Sequence, residues 1–459
     1  MTIITPGVDP ASRLLTGSAP AWLDTWGAFA ATLRFDDLPN TVVDRTRLVV
    51  LDSIGAIIAG NDEPELRALS KQLPTMLGGD THGPLARAFV GGTAGTMLEI
   101  DEGNQYARGH PGIHVVPAVL ALAEAGRITG RDAITAIALG YEIGARIGIA
   151  SKLRVTMHPH GTWGTVGAAL AIAKLHGASA QDIIAAINVA SSLGLTTSRR
   201  TMLEGATVRN SYAGFSNMLG LLAWTLVASG FTGEKDGVGS VYGGIAADDW
   251  RPQEMTAELG QRWEIARNYF KRHAACRYTH AALDALAEIT AKAGGSLNSA
   301  AIQTISVDTY VWAAQLDHPA PANMLAAKFS LPFAVATTIV NGRATLDAFR
   351  DTARNDAATR ALAARVMVNE DPALTAMLPG LRPARVKITL KDGRTFEAIA
   401  RTNKGDTEDP YSEAQVIEKF YEIAASVIGI ERARQIEALV RRLDEQPSLA
   451  ALAPLMEVA

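Results

Sequence analysis

Residues 164–175, GTVGAALAIAKL, decide the fold. The run is apolar on every side and rich in alanine and glycine. A helix without a polar face has to be enclosed by other helices. Its small residues let those neighbours come close. VVPAVLALAEA (115–125) has the same character. Working outward, apolar residues at three- and four-residue spacing predict helices over Trp22–Leu33, Pro39–Gly60, Glu65–Leu73, Gly92–Ile100, Gly130–Ile149, Ala180–Leu193 and Gly214–Ser229. Gly126, Gly177 and Gly230 supply stops.

The pattern changes beyond residue 270. IQTISVDTYV (302–311) and ARVMVN (364–369) read as strands, and RVKITLKDGRTFEAIAR (385–401) as a hairpin turning at Asp392-Gly393. Helices return over Ala281–Lys292, Ala322–Asn341, Ser412–Ile428 and Glu431–Asp444. The expected architecture is mainly α. A large all-helical domain would take residues 1–270 and 403–459, discontinuous in sequence, and a smaller α+β lid domain would take 271–402.

Composition excludes several function classes. The chain has 459 residues, 48% of them apolar, and a net charge of −4. That balance gives no bulk attraction to nucleic acid or an anionic membrane. Cys276 is the one cysteine, so no intrachain disulfide can form, which fits a reducing, cytoplasmic setting. Residues 1–22 lack the basic flank and apolar run of a secretory signal. Polar residues interrupt the apolar segments, so no membrane span is expected. HExxH, paired CxxC, EF-hand, Walker and GxSxG patterns are absent, and Gly91-Gly92 and Gly243-Gly244 lack a strand–loop–helix frame. No metal is expected.

Four polar clusters interrupt the apolar helices: DEGNQYARGH (101–110), MHPHGTWGTVG (157–167), EGATVRNSYAG (204–214) and NYFKRHAACRYTH (268–280). Three open onto predicted helix N-termini, whose free N–H groups and positive dipole end attract carboxylates. Arg209, Lys271 and His273 add cations, and histidine or a desolvated lysine serves proton transfer near neutral pH. Cys276 reads as a packed small hydrophobe. Arg199-Arg200 reads as a solvated loop that could help hold substrate.

In order and spacing, these clusters resemble the MmgE/PrpD family, together with LDSIGAIIAG (51–60), GYEIGARIG (140–148), AAKFSLPFAVA (326–336) and DPYSEAQVIEKF (409–420). That family includes 2-methylcitrate dehydratases, cis-aconitate decarboxylases and an iminodisuccinate epimerase. The resemblance implies a helical domain with a smaller lid, a site between them, a homodimer through the helical part and no cofactor. It carries Asp101, His110, His158 and Lys271 over to matching family positions. Departures are also implied: the family's D-x-D-D-T run is read here as DEGNQ with Asn104 and Gln105 standing in, a usual lysine is Arg209, and a usual tyrosine is Phe333.

The expected chemistry is removal and return of a proton α to a carboxylate in a small di- or tricarboxylate. Lys271 and His110 are the first acid–base candidates, followed by His158, Asp101, Tyr212 and Tyr141. Arg209, His273, Gln105 and Asn104 are the substrate-binding candidates. The departures favour an iminodisuccinate-type epimerase, with a hydro-lyase of the 2-methylcitrate dehydratase type, or a non-catalytic member of the fold, as the alternatives.

Overall fold

A computed structural model of the chain describes residues 18–76, 83–126 and 128–458. Residues 1–17 of the N-terminal stretch discussed above lie outside the described residues. The longer helices of the first half of the chain are α1 (Ala21–Thr32), α2 (Asn40–Asn61), α3 (Pro64–Met76), α4 (Pro84–Met97), α5 (Val116–Ala125), α6 (Gly130–Ala150), α7 (Gly164–Leu175), α8 (Ala180–Ser191) and α9 (Tyr212–Ala228). The opening stretch is α7, buried against α6, α8 and α9. At the α6–α7 crossing Gly140 meets Gly167. A Cβ on either would stand 2.5–2.6 Å from the other's carbonyl oxygen, so only glycine permits this approach.

Helix α6 corrects one expectation. It is 21 residues long and contains an 18-residue window of mean hydropathy 1.3, enough by length and composition to cross a membrane. Yet 94% of that window is buried inside the protein, so its apolarity is accounted for by packing.

A short antiparallel ribbon, β1 (Ser151–Leu153) with β2 (Ala247–Trp250), follows α6; periodicity alone gave no sign of it. The larger sheet has the order β4-β3-β5-β6, with β3 Ile302–Thr309, β4 Val366–Glu370, β5 Ala384–Leu390 and β6 Thr395–Ala400. The β5–β6 hairpin forms as read, and Gly393 takes the positive φ of its turn. β4 runs parallel to β3, so a crossover must join them, and it carries α11 (Leu331–Asn341). The single helix expected over 322–341 is broken at Ser330, whose hydroxyl accepts from Phe333 N and caps α11. Helix α10 (His280–Lys292) packs against β5 and β6.

Two cores result. Val49, Ile54 and Ile58 of α2 join the first, while Ala56 and Ile57 join the second, which also holds Ile305, Val307, Val386 and Ile388 of the sheet. Helix α12 (Glu413–Ile428) is shared in the same way: Val416, Phe420 and Ala424 face the first core and Ile423 the second. Helix α13 (Ile430–Arg441) returns wholly to the first through Ala433, Ile436 and Val440. The cores therefore meet along α2 and α12, and the loop after α4 lies at that junction.

Candidate active site

The loop from Leu98 to Pro111 builds the site. Helix α4 ends at Met97 rather than running to Ile100, because Glu99 adopts φ 54°, a left-handed conformation that ends the helical run. Arg108 is the second strained residue of the loop, at φ 55°. Asp52 of α2 accepts from Glu102 N at 2.9 Å, and Lys419 of α12 bonds both Asp52 and the Ile100 carbonyl. Gly103 exchanges backbone hydrogen bonds with Tyr269, which fastens this loop to the segment carrying Lys271. Segments far apart in sequence are thus held side by side, by a buried ion pair between residues 367 positions apart and by the two-residue ladder of Gly103 and Tyr269.

A narrow cavity of about 60 Å³ opens here. Glu99, His110, His158, His160 and Arg209 line it, together with Arg108, Arg199, Arg277, Tyr278 and Arg382. His110 Nδ1 lies 2.9 Å from Asp101 Oδ2 and 2.7 Å from the Glu102 carbonyl oxygen. Both are acceptors, so Nδ1 carries a proton and Nε2 is left for the cavity side. Burial alone would raise the Asp101 pKa, but His110 and Lys271 outweigh it and hold the carboxylate well below its usual range. Lys271 Nζ bonds the Glu99 carbonyl at 3.1 Å and the Glu99 carboxylate at 3.3 Å, and stands 3.9 Å from Asp101. Arg209 pairs with the same Glu99 carboxylate and donates to the Thr96 carbonyl.

Burial, and then the Arg209 charge, push His158 and His160 well below the ordinary histidine pKa, so both rings are neutral near pH 7. Their ring centroids are 5.0 Å apart, and His160 lies 4.6 Å from His110. His158 Nδ1 accepts from His160 N at 3.1 Å, and Arg209 Nε approaches His158 Nε2 at 3.5 Å. His114 continues the row but is pushed down to about 3 by burial and packs on Trp163.

The sequence candidates divide. His110, His158 and Arg209 reach the cavity, with Asp101 and Lys271 directly behind them. Tyr212 contacts His158 with ring centroids 5.9 Å apart but does not line the cavity. Tyr141 is sealed in the core, donating to Glu102 Oε2 at 3.0 Å, so it carries no proton to the cavity. Asn104 is a turn residue: its Oδ1 accepts from Tyr106 N and Ala107 N. Gln105 sends its side chain to Glu408, and its carbonyl accepts from Arg382. His273 points away to Asp284 and His280, the chain bending between it and Lys271. Phe333 packs on Phe349 within the second core.

Glu99, Arg108, Arg277, Tyr278 and Arg382 were not among the candidates. Arg277 and Tyr278 lay inside a quoted cluster, whereas Arg382 sits in a loop without any local signal. The acidic run was also read two residues late. Glu99, Asp101 and Glu102 are all buried at the site, so acid-x-acid-acid is present and the acids are not thinned. Cys276 lines the cavity with its thiol pushed up to about 11 by burial, which keeps it neutral. Among the described residues no group of three or more His, Cys, Asp and Glu side chains is arranged to hold a metal ion.

The fold is mainly helical, and a histidine–aspartate pair, which has the chemistry of proton transfer, faces an arginine-lined cavity. The chain belongs to the MmgE/PrpD family: residues 25–248 match the MmgE/PrpD N-terminal domain and 273–445 the MmgE/PrpD C-terminal domain. It is similar to the cis-aconitate decarboxylase-like protein oryM of Aspergillus oryzae, 26% identical over 96% of this chain and 97% of that one. It is also similar to the cis-aconitate decarboxylases of Aspergillus terreus (26%, 94% of each chain) and Homo sapiens (24%, 93% and 92%). These relatives are lyases by name. They lend no support to the epimerase preferred from the sequence, and the lyase alternative is the better fit. The corrected register of the acidic run removes one of the departures on which that preference stood.

Proposed function

We propose that the protein is a lyase that decarboxylates a small unsaturated tricarboxylate of the cis-aconitate kind, with its own side chains as the only acid–base groups. The observation that carries this reading is the His110–Asp101 pair turned toward a cavity whose one lining carboxylate among the described residues, Glu99, is already committed to Arg209 and Lys271. A carboxylate-bearing ligand meets uncompensated positive charge there.

The chemistry balances on these groups. The carbon–carbon bond to the leaving carboxylate breaks and CO2 departs. The released pair forms a new double bond, and the old double-bond pair moves to the far carbon, next to a second carboxylate. That carbon takes one proton. His110 Nε2 is the donor, with ionised Asp101 balancing the imidazolium that gives it up. The developing charge spreads onto the adjacent carboxylate, where Arg209 stabilises it.

The test is CO2 release from cis-aconitate by purified protein, followed together with proton NMR in D2O. The expected result is stoichiometric CO2, one deuterium in the product, and loss of activity in His110→Ala. Dehydration of 2-methylcitrate at an ordinary rate without CO2 release would replace this reading by hydro-lyase chemistry. Deuterium exchange with no net conversion would restore the epimerase.

A further inference from the structure

The cavity contains more unsatisfied positive charge than the proton-transfer step needs. Arg199 and Arg382 both approach the Tyr278 ring, their guanidinium carbons 5.8 and 5.6 Å from its centroid. Arg199 Nε and Nη2, Arg277 Nε and Arg382 Nε are buried and, among the described residues, have no hydrogen-bond partner. Arg277 and Arg382 are each only 3% exposed. Arg277 is paired with Asp406, but no carboxylate of the described residues pairs with Arg199 or Arg382. Buried cationic donors without acceptors cost free energy, and that cost is recovered when an anion arrives.

The orientation of Arg382 and Arg277 is set independently of any ligand. The Gln105 carbonyl accepts from Arg382 Nη2 at 2.6 Å, and Asp406 with the Lys404 carbonyl holds Arg277. Arg199 and Arg200 are neighbours with opposite fates: the Arg200 side chain is 81% exposed and pairs with Glu204, while Arg199 turns inward. A planar fork held by its neighbours loses little freedom on binding a carboxylate.

We infer that Arg199, Arg382 and Arg277 form a subsite for a carboxylate that does not react, and that this subsite selects tricarboxylates over dicarboxylates. The inference rests on the polycarboxylate reading above and adds the residues that count the carboxylates. Arg209 and the histidines handle the groups beside the reacting carbon, and the Tyr278 side grips the third.

Calorimetric titration with two unreactive probes, propane-1,2,3-tricarboxylate and succinate, tests it on the full chain. Wild type should prefer the tricarboxylate at least tenfold. Arg199→Gln should weaken the tricarboxylate about 10- to 100-fold, the range for a lost charge-assisted contact, and leave succinate within about twofold. Arg199 lies on a loop and is partly exposed, so this variant keeps its fold, which its thermal midpoint checks. Arg199→Lys, which keeps the charge and loses the fork, should fall between. Equal weakening of both probes, or none, would overturn the subsite while leaving the polycarboxylate reading intact. Failure of wild type to bind either probe would overturn both.

Discussion

Asp101→Asn is the substitution that asks most of the proposed chemistry. In the native site His110 Nδ1 has two acceptors, Asp101 Oδ2 at 2.9 Å and the Glu102 carbonyl at 2.7 Å. The asparagine removes a charge but leaves the Glu102 carbonyl in place, so the ring keeps its proton on Nδ1. The loss should therefore be far smaller than the roughly 10⁴-fold that follows tautomer reversal in a catalytic triad. What disappears is one hydrogen bond to a charged group, about 1.5–3 kcal/mol, which converts to roughly a 10- to 150-fold fall in kcat. Asp101 does not line the cavity, so KM for the tricarboxylate should stay within about threefold. The assay is steady-state CO2 release with kcat and KM resolved separately, beside a melting curve to show that the fold is retained. A folded variant with kcat within twofold of wild type, or one whose entire loss falls on KM, refutes the role of Asp101 as the group that positions His110.

Other outcomes follow from the groups around the site. Lys419→Met leaves Asp52 buried without its cation and the Ile100 carbonyl without a donor; chemical denaturation should report a loss of about 3–5 kcal/mol, part of it regained in Lys419→Met/Asp52→Leu. Burial pushes Glu102 up to about 8, against 4.5 for an unperturbed glutamate, despite donors from Asn268, Gly112 and Tyr141. Folding therefore takes up a proton between those values. The contribution is complete below about pH 4.5 and is lost as pH rises through 8, at no more than about 1.4 kcal/mol per pH unit, and Glu102→Gln should flatten the denaturation midpoint over that window. Cys276→Ser should keep kcat within a few-fold, and iodoacetamide should modify the native protein slowly, because the buried thiol is neutral.

The part of the site legible in sequence was the part with a local cause. His110, His158 and Arg209 lie in polar loops leading into apolar helices, and such junctions are visible as a change from polar to apolar residues. Asp101 and Lys271 share those loops and stand just behind the wall. Local reading failed where the environment is set by distant chain. Tyr141 lies on a helix enclosed on all sides, and its partner Glu102 was recognisable only once α6 had been placed against the loop. His273 was grouped with Lys271 by proximity in sequence, but the bends of residues 272–275 turn the two side chains apart.

By itself the sequence determined that the chain is mainly helical, because helices without a polar face can be stable only inside other helices, and that a β5–β6 hairpin follows, because Asp392-Gly393 permits its turn. It also carried the family likeness. Tertiary structure alone decided which cations face a ligand. Arg199 and Arg200 are identical to any local pattern, and only the fold buries one beside Tyr278 and leaves the other in water. Arg382 joins them from a loop 277 residues beyond Gln105, held by a single backbone carbonyl. Charge selects a substrate through its position in space, and position between residues so far apart is fixed by packing rather than by spacing along the chain.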